Sequence, residues 1–181
     1  MILISPNSLF LFSVTTELID WMLKARENLL EALELTEADG WESVKEKGGI
    51  GLWRKKATDS SINIIKRTME VNVSAEEVLK FYKDTDAIKS VNKKIVENYI
   101  VQSFTDTCKL IRREIKGSLL VSNRDMSIFS NTIQLTDGSI AISMFSVEHD
   151  KVPKTKAVRA ILDIGMIYLK PITESSTAVL S

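Results

Sequence analysis

The sequence predicts an α+β fold with helices packed on a curved antiparallel sheet, and three observations predict it. Thr16–Ala38 carries apolar residues at three- and four-residue steps. After Gly40 the apolar period shortens to two. From Ile95 onward the chain reads almost entirely as short strands joined by turns. Helical and strand segments that segregate in this way point to an antiparallel sheet covered by helices, not to an alternating parallel one. The 181 residues suit about one domain.

Taken in order, Met1–Phe12 is apolar but broken by Pro6. It has no basic leading segment or small-residue cleavage site and falls short of the roughly 20 residues of a membrane helix, so it reads as a leader. Leu18, Ile19, Met22, Ala25, Leu29, Leu30 and Leu33 then form one helical stripe, with Glu17, Asp20, Lys24, Glu27, Glu31 and Glu34 mostly off it. Gly40 supplies the stop. Leu52–Lys56 and Ile62–Val71 read as strands joined by the turn-rich Ala57–Ser61, preceded by one further strand at most. In the second, Ile62, Ile64, Lys66 and Thr68 share one face while Ile65, Met69 and Val71 share the other. Ser74-Ala75-Glu76-Glu77 is a capping box opening a helix through Val78, Leu79, Phe81 and Tyr82. A short helix or turn follows at Asp86–Val91. Strands are expected at Ile95–Phe104 and Thr107–Lys116, around Thr105-Asp106. Two more, Asp125–Leu135 and Ser139–Glu148, flank the hairpin signal Asp137-Gly138. The polar loop His149–Lys156 leads to Ala157–Leu162, Gly165–Ile172 and Thr177–Leu180.

Composition narrows the function. Hydrophobic residues make up 44% and charged residues 27%, and 24 bases balance 24 acids. A neutral chain lacks the positive surplus that phosphate backbones require, which argues against nucleic acid. One cysteine, Cys108, and one histidine, His149, provide neither a disulfide nor a zinc set, so no metal or cofactor is expected and a reducing, cytoplasmic compartment fits. Gly48-Gly49-Ile50-Gly51 lacks the ending of a phosphate loop and precedes a strand, so it reads as a hairpin turn. Cys108 and His149 sit on separate elements without a supporting motif for nucleophilic catalysis. Glu27, Glu31 and Glu34 lie along an exposed helix face. No hydrolase emerges.

Charge is nevertheless uneven. Seven acids against two bases make the N-terminal helical stretch acidic, a face for solvent or a protein partner. Lys45, Lys47, Arg54, Lys55, Lys56, Lys66 and Arg67 make the first strands basic. That group reads as a solvated sheet edge or as a transient contact with an anionic membrane surface.

Five short motifs occur in a telling order: Trp41-Glu42, Trp53-Arg54, Ser122-Asn123-Arg124-Asp125, Ser146-Val147-Glu148-His149 followed by Pro153, and Val158-Arg159-Ala160. Together they resemble the START (StAR-related lipid transfer) family across Trp41–Leu180, with the SNRD wording nearest the phosphatidylcholine-transfer-like members. The resemblance implies a helix-grip fold whose curved sheet encloses an apolar tunnel for one lipid, a phospholipid or a sterol, in intracellular transfer or sensing. It divides the chain into a leader and amphipathic helix over 1–40 and a START-like domain over 41–181. Two departures stand out: Ser90-Val91-Asn92 replaces a frequent Trp, and the sequence ends at Ser181, before the family's long C-terminal helix. A lipid-regulated interaction module and a START-like cyclase or hydrolase are the rival readings.

By this resemblance Arg124 is the cavity arginine, needing a carboxylate or a lipid phosphate beside it. Asp106 is its expected acidic partner and Glu114 the alternative. Arg112 is a second candidate for the ligand, whereas Arg159 is assigned to the sheet. Tyr82, Met144 and Tyr168 are candidate lining. The loop through Asp150, Val152, Pro153 and Lys154 is expected to border the tunnel mouth.

Overall fold

The computed structural model describes residues 15–58 and 62–181, so the leader Met1–Phe12 and Asp59–Ser61 of the turn-rich stretch lie outside it. Helix α1 (Thr16–Glu37) starts at Thr15, whose Oγ1 accepts from the Leu18 amide. Its buried positions are Leu18, Ala25, Asn28, Leu29 and Ala32. The predicted stripe is therefore displaced: Ile19 and Leu30 face solvent, and Asn28 is satisfied by donating to the Asp163 carbonyl at 3.3 Å.

Strands β1 (Glu42–Lys47) and β2 (Ile50–Lys56) form a hairpin through Gly48 and Gly49, whose φ values of 61° and 76° suit the left-handed turn such hairpins need. All six β1 residues are exposed, which is why its sequence shows no apolar alternation. Strand β3 (Asn63–Val71) follows. Helix α2 (Ala75–Lys83) opens on the predicted reciprocal cap between Ser74 and Glu77, and Asp84 caps α3 (Thr85–Val91). Then come β4 (Ile95–Ser103), β5 (Cys108–Ile115), β6 (Arg124–Gln134), β7 (Ile140–Ser146), β8 (Val158–Arg159), β9 (Gly165–Thr173) and β10 (Ser176–Leu180). The strand expected over Ala157–Leu162 shrinks to the two residues of β8, because only Val158 and Arg159 pair, in parallel, with Arg124 and Asp125 of β6.

The sheet order is β1-β2-β3-β10-β9-β7-β6-β5-β4, with every neighbour antiparallel and β8 beside β6. This is the α+β architecture that the segregated pattern predicts. Alternation divides the core into two layers. On one face α1 packs Leu18, Ala25 and Trp21 against Cys108, Leu110, Phe129 and Phe145. On the other, α2 sets Ala75 and Val78 against Ile140, Ile142, Ile167, Leu169 and Val179. Trp21 lies 5.3 Å from Phe129, and Phe129 lies 5.6 Å from Phe145, so the α1 face is closed by aromatic contacts.

Antiparallel pairing also gives the sheet two unlike ends. The end of β2, the start of β3 and the 92–94, 116–123 and 147–164 connections gather at one end, where the Lys116 amide donates to Lys94 O and Val158 N to Asn123 O. Turns at 48–49, 72–74, 104–107, 135–139 and 174–175 occupy the other.

Candidate functional site

Strand β5 carries consecutive arginines, and period-two alternation sends them to opposite faces. Arg112, only 2% exposed, points to the α1 face. Its guanidinium binds Glu97, binds Glu114 at 2.7 Å, and lies 3.6 Å from the carboxylate of Asp125, itself 1% exposed. Asp125 also accepts from Arg159 Nε at 3.1 Å, and Glu114 Oε1 accepts from Asn123 Nδ2 at 2.8 Å. Burial pulls the Arg112 pKa down, but the hydrogen bonds to Glu114 and Glu97 outweigh it and raise it. The Glu114 carboxyl is held below its ordinary value first by Asn123, against the cost of burial, and then by Arg112. Each residue of the cluster has at least one charged or amide partner, which ties β4, β5, β6 and β8 together, while Arg112 Nε and Asp125 Oδ2 face each other without a hydrogen bond.

On the opposite face, β5 and β6 carry arginines without such acids beside them. Arg113 donates from Nε to Asn98 Oδ1 at 3.0 Å, and buried Asn98 donates in turn to the Thr85 carbonyl at 2.9 Å, fastening α3 to β4. Burial alone pushes the Arg113 pKa down. Arg124 pairs in register with Ile115 and donates to Ser122 O at 2.8 Å. Among the described residues neither arginine forms an ion pair.

The expected partners of Arg124 are corrected by this geometry. Glu114 stands opposite Asp125 on the α1 face, one position out of phase with Arg124. Asp106 sits exposed in the β4–β5 turn, beyond Cys108, at the far end of β5 from Arg124. The buried, carboxylate-bound arginine is Arg112. Tyr82 and Met144 do come together, in the α2 layer beside Val78 and Ile142. Tyr168 does not join them: it packs with Leu33 and Ala141 in the α1 layer. Arg113 and Asn98 escape a motif-based reading, although an Arg-Arg pair in a strand already requires one arginine on each face.

The 148–161 segment roofs a cleft of about 960 Å³ in which Asp150, Pro153 and Lys154 face Asp125, Ser127 and Arg159. Val152, expected at a tunnel mouth, lines this cleft and packs on its other side against the core with Phe129 and Phe145. Arg159 ties the segment down through Asp125 and the Pro153 carbonyl, as expected for a sheet residue. Val147, Ala157, Ala160 and Ile161 also line it, so the cleft mixes apolar and charged groups. A second cleft, of about 610 Å³, lies by the last turn of α1 and includes Tyr168.

The basic group splits by face as well. Lys66 donates to Thr36 O at 3.0 Å and Lys55 to Asp39 O at 2.6 Å, both serving the C-terminal end of α1. Arg54 pairs with Glu42. Glu17, Asp20, Glu27, Glu31 and Glu34 of α1 stay in solvent. Cys108 donates to Asn131 and His149 Nδ1 accepts from the Lys151 amide, so neither is the other's partner. Among the described residues no group of His, Cys, Asp and Glu is arranged to hold a metal ion, and no helix is long and apolar enough to cross a membrane.

Human StAR-related lipid transfer protein 5 superposes with a TM-score of 0.80 at 20% identity, covering 92% of this chain and 81% of that one. The chain has the START fold. A STAR-related lipid transfer protein fragment from Xanthomonas axonopodis matches it with a TM-score of 0.71 at 23% identity over 79% and 80% of the two chains. Among curated proteins, the ceramide transfer proteins of Xenopus laevis and Xenopus tropicalis are 25% and 24% identical over 137 residues, 70% of this chain. The chain spans 22% of the length of these relatives. No protein-family model matches it. In the START fold, as in these neighbours, an open curved sheet carries helices on its faces, which is the helix-grip arrangement that the motif order implies.

Proposed function

We propose that this chain binds a single lipid against the α2/α3 face of its sheet and exchanges it at membranes, for transfer or sensing, without catalysing a reaction. The observation that carries the reading is the apolar character of that face within a START fold. Ile111, Ile115, Met126 and Met144 are only partly covered there, and Ile65 and Ile100 are exposed. An acyl chain completes their burial. Each CH₂ withdrawn from water contributes about 0.8 kcal/mol, so a long chain brings on the order of 10 kcal/mol. The names of the structural neighbours and curated relatives, all of them lipid or ceramide transfer proteins, support a carrier over an enzyme.

The two sheet ends support one direction of approach. At the loop end Leu119 and Leu120 are fully exposed, and Val91, Val121, Val158 and Ile161 are exposed near them. The connections at this end carry exposed Lys93, Lys94, Lys116, Lys151, Lys154 and Lys156 against exposed Glu148, Asp150 and Asp163. Apolar tips at an end with an excess of bases suit an anionic bilayer, at about 1 kcal/mol per well-placed base. The opposite end presents Asp106, Asp137 and Glu174.

Native mass spectrometry after incubation with mixed liposomes tests the reading. One lipid per chain is expected, and no uptake from any liposome contradicts it. The pair L119S/L120S is expected to weaken binding to anionic vesicles by about tenfold or more while leaving the unfolding midpoint unchanged. Unaltered vesicle binding would remove this end from the membrane contact.

A further inference from the structure

Helix α1 has a second apolar edge, on the side turned away from the sheet. Ile19, Leu23 and Leu30 are 47%, 55% and 62% exposed, and half-buried Leu33 continues their line. With Arg26 they occupy positions 19, 23, 26, 30 and 33, which alternate steps of four and three. That alternation is the spacing of the contact positions in a heptad, the seam along which one helix packs against another. A helix that only covers a sheet needs a single stripe, and Leu18, Ala25, Leu29 and Ala32 already supply it. Among the described residues nothing covers the outer one.

The charges beside the seam define what fits it. Asp20, Glu27 and Glu34 recur at seven-residue steps along one flank, with Glu31 between the last two, and all four are exposed. Among the described residues none of them forms an ion pair. Lys24, the base nearest that flank, lies over the Phe145 ring at 4.8 Å instead. Flanking positions of a two-helix seam meet the charged side chains of the partner helix. A row of unpaired acids therefore fits a partner with lysines or arginines beside its own apolar seam. Arg26, within the seam, fits one acid at the facing position, and such a polar contact fixes the register.

Two nearer occupants match these charges less well. A second copy packed antiparallel on the same seam sets acid row against acid row, and packed parallel it sets Arg26 against Arg26. The leader Met1–Phe12 is apolar but holds no lysine or arginine to meet the acids.

We propose that the outward face of α1 is a docking site for a basic amphipathic helix of another protein, seated on Ile19, Leu23 and Leu30. The inward side of α1 and the α2/α3 layer pack on opposite faces of the sheet, so docking is independent of lipid binding.

The probe is a synthetic helical peptide of about three heptads, with leucines in its seam, lysines on its flanks and one glutamate placed to face Arg26. A matched peptide with glutamates on its flanks is the control. Fluorescence anisotropy with the whole chain is expected to give the basic peptide a Kd of about 1–10 μM and the acidic one at least about tenfold weaker binding. Raising the salt from about 0.05 M to about 0.5 M is expected to weaken the basic peptide by about fivefold. L23Q/L30Q is expected to weaken it by about tenfold or more with an unchanged unfolding midpoint, because both side chains stand in solvent. E27K/E34K is expected to reverse the preference between the two peptides. Circular dichroism confirms that each variant is folded. No binding of the basic peptide, equal affinity for both peptides, or unaltered binding in folded L23Q/L30Q overturns the proposal. A lowered unfolding midpoint in L23Q/L30Q would place the chain's own leader on the seam. A wild-type dimer that L23Q/L30Q converts to monomer in light scattering would place a second copy there. Either result also overturns it.

Discussion

Arg112 and Arg113 are chain neighbours with opposite surroundings, and the two faces of the sheet differ as they do. On the α1 face the guanidinium is buried among three carboxylates beside a layer of packed aromatic rings. On the α2/α3 face the guanidinium meets one amide and partly covered aliphatic side chains. The first face pairs its charged groups with one another, although Ser127 and Ser143 keep buried hydroxyls without a hydrogen-bond partner. The second leaves both apolar surface and positive charge unmatched, which is the condition of a surface that binds something.

The largest expected effect lies on the closed face. R112M leaves Asp125 and Glu114 without their central cation, and its cost in urea unfolding is expected at about 3 kcal/mol. R113Q, which removes no ion pair, is expected to cost under about 1 kcal/mol. Equal costs for the two variants would dissolve the distinction between the faces. A smaller loss, about 1 kcal/mol, is expected for S74A, which removes the reciprocal cap of α2 while the α1 layer stays intact. Hydrogen exchange should then quicken in α2 and not in α1; uniform acceleration would mean that the two layers unfold as one.

The smallest effect is in pH. The folded-state pKa of Glu114 is depressed, so its contribution is fully present above the unfolded value near 4.5 and is lost as pH falls through the lower folded value. Urea midpoints are expected to decline in that acidic window, and E114Q is expected to flatten the decline. A variant with the wild-type slope would show that Glu114 takes no part in it.

Much of this fold is legible in the sequence because its signals are local. The Ser74–Glu77 cap, the glycine hairpin and the alternation of β3 each need only a few residues to be read. Strand β1 is not legible, since an edge strand exposed on both faces has no apolar rhythm. The Ala157–Leu162 stretch misleads because it is apolar without being paired, and only β8 finds a partner in β6. The site is read less well, for a physical reason. Motifs identify residues but not faces, and one residue of phase separates Arg112 from Arg113, Glu114 from Arg124, and Tyr168 from the layer that holds Tyr82 and Met144. The acid that neutralises an arginine is chosen by register across strands, so Asp106, nearly twenty residues before Arg124, ends at the wrong end of the sheet.

The most direct test of lipid binding on the α2/α3 face is photo-crosslinking with a phospholipid carrying a diazirine in its acyl chain, followed by peptide mapping. Adducts are expected on Met126, Met144 and Tyr82, with Tyr168 and the α1 residue Leu33 unlabelled. Labelling concentrated on Tyr168, Leu33 or the 148–161 cleft would contradict the account.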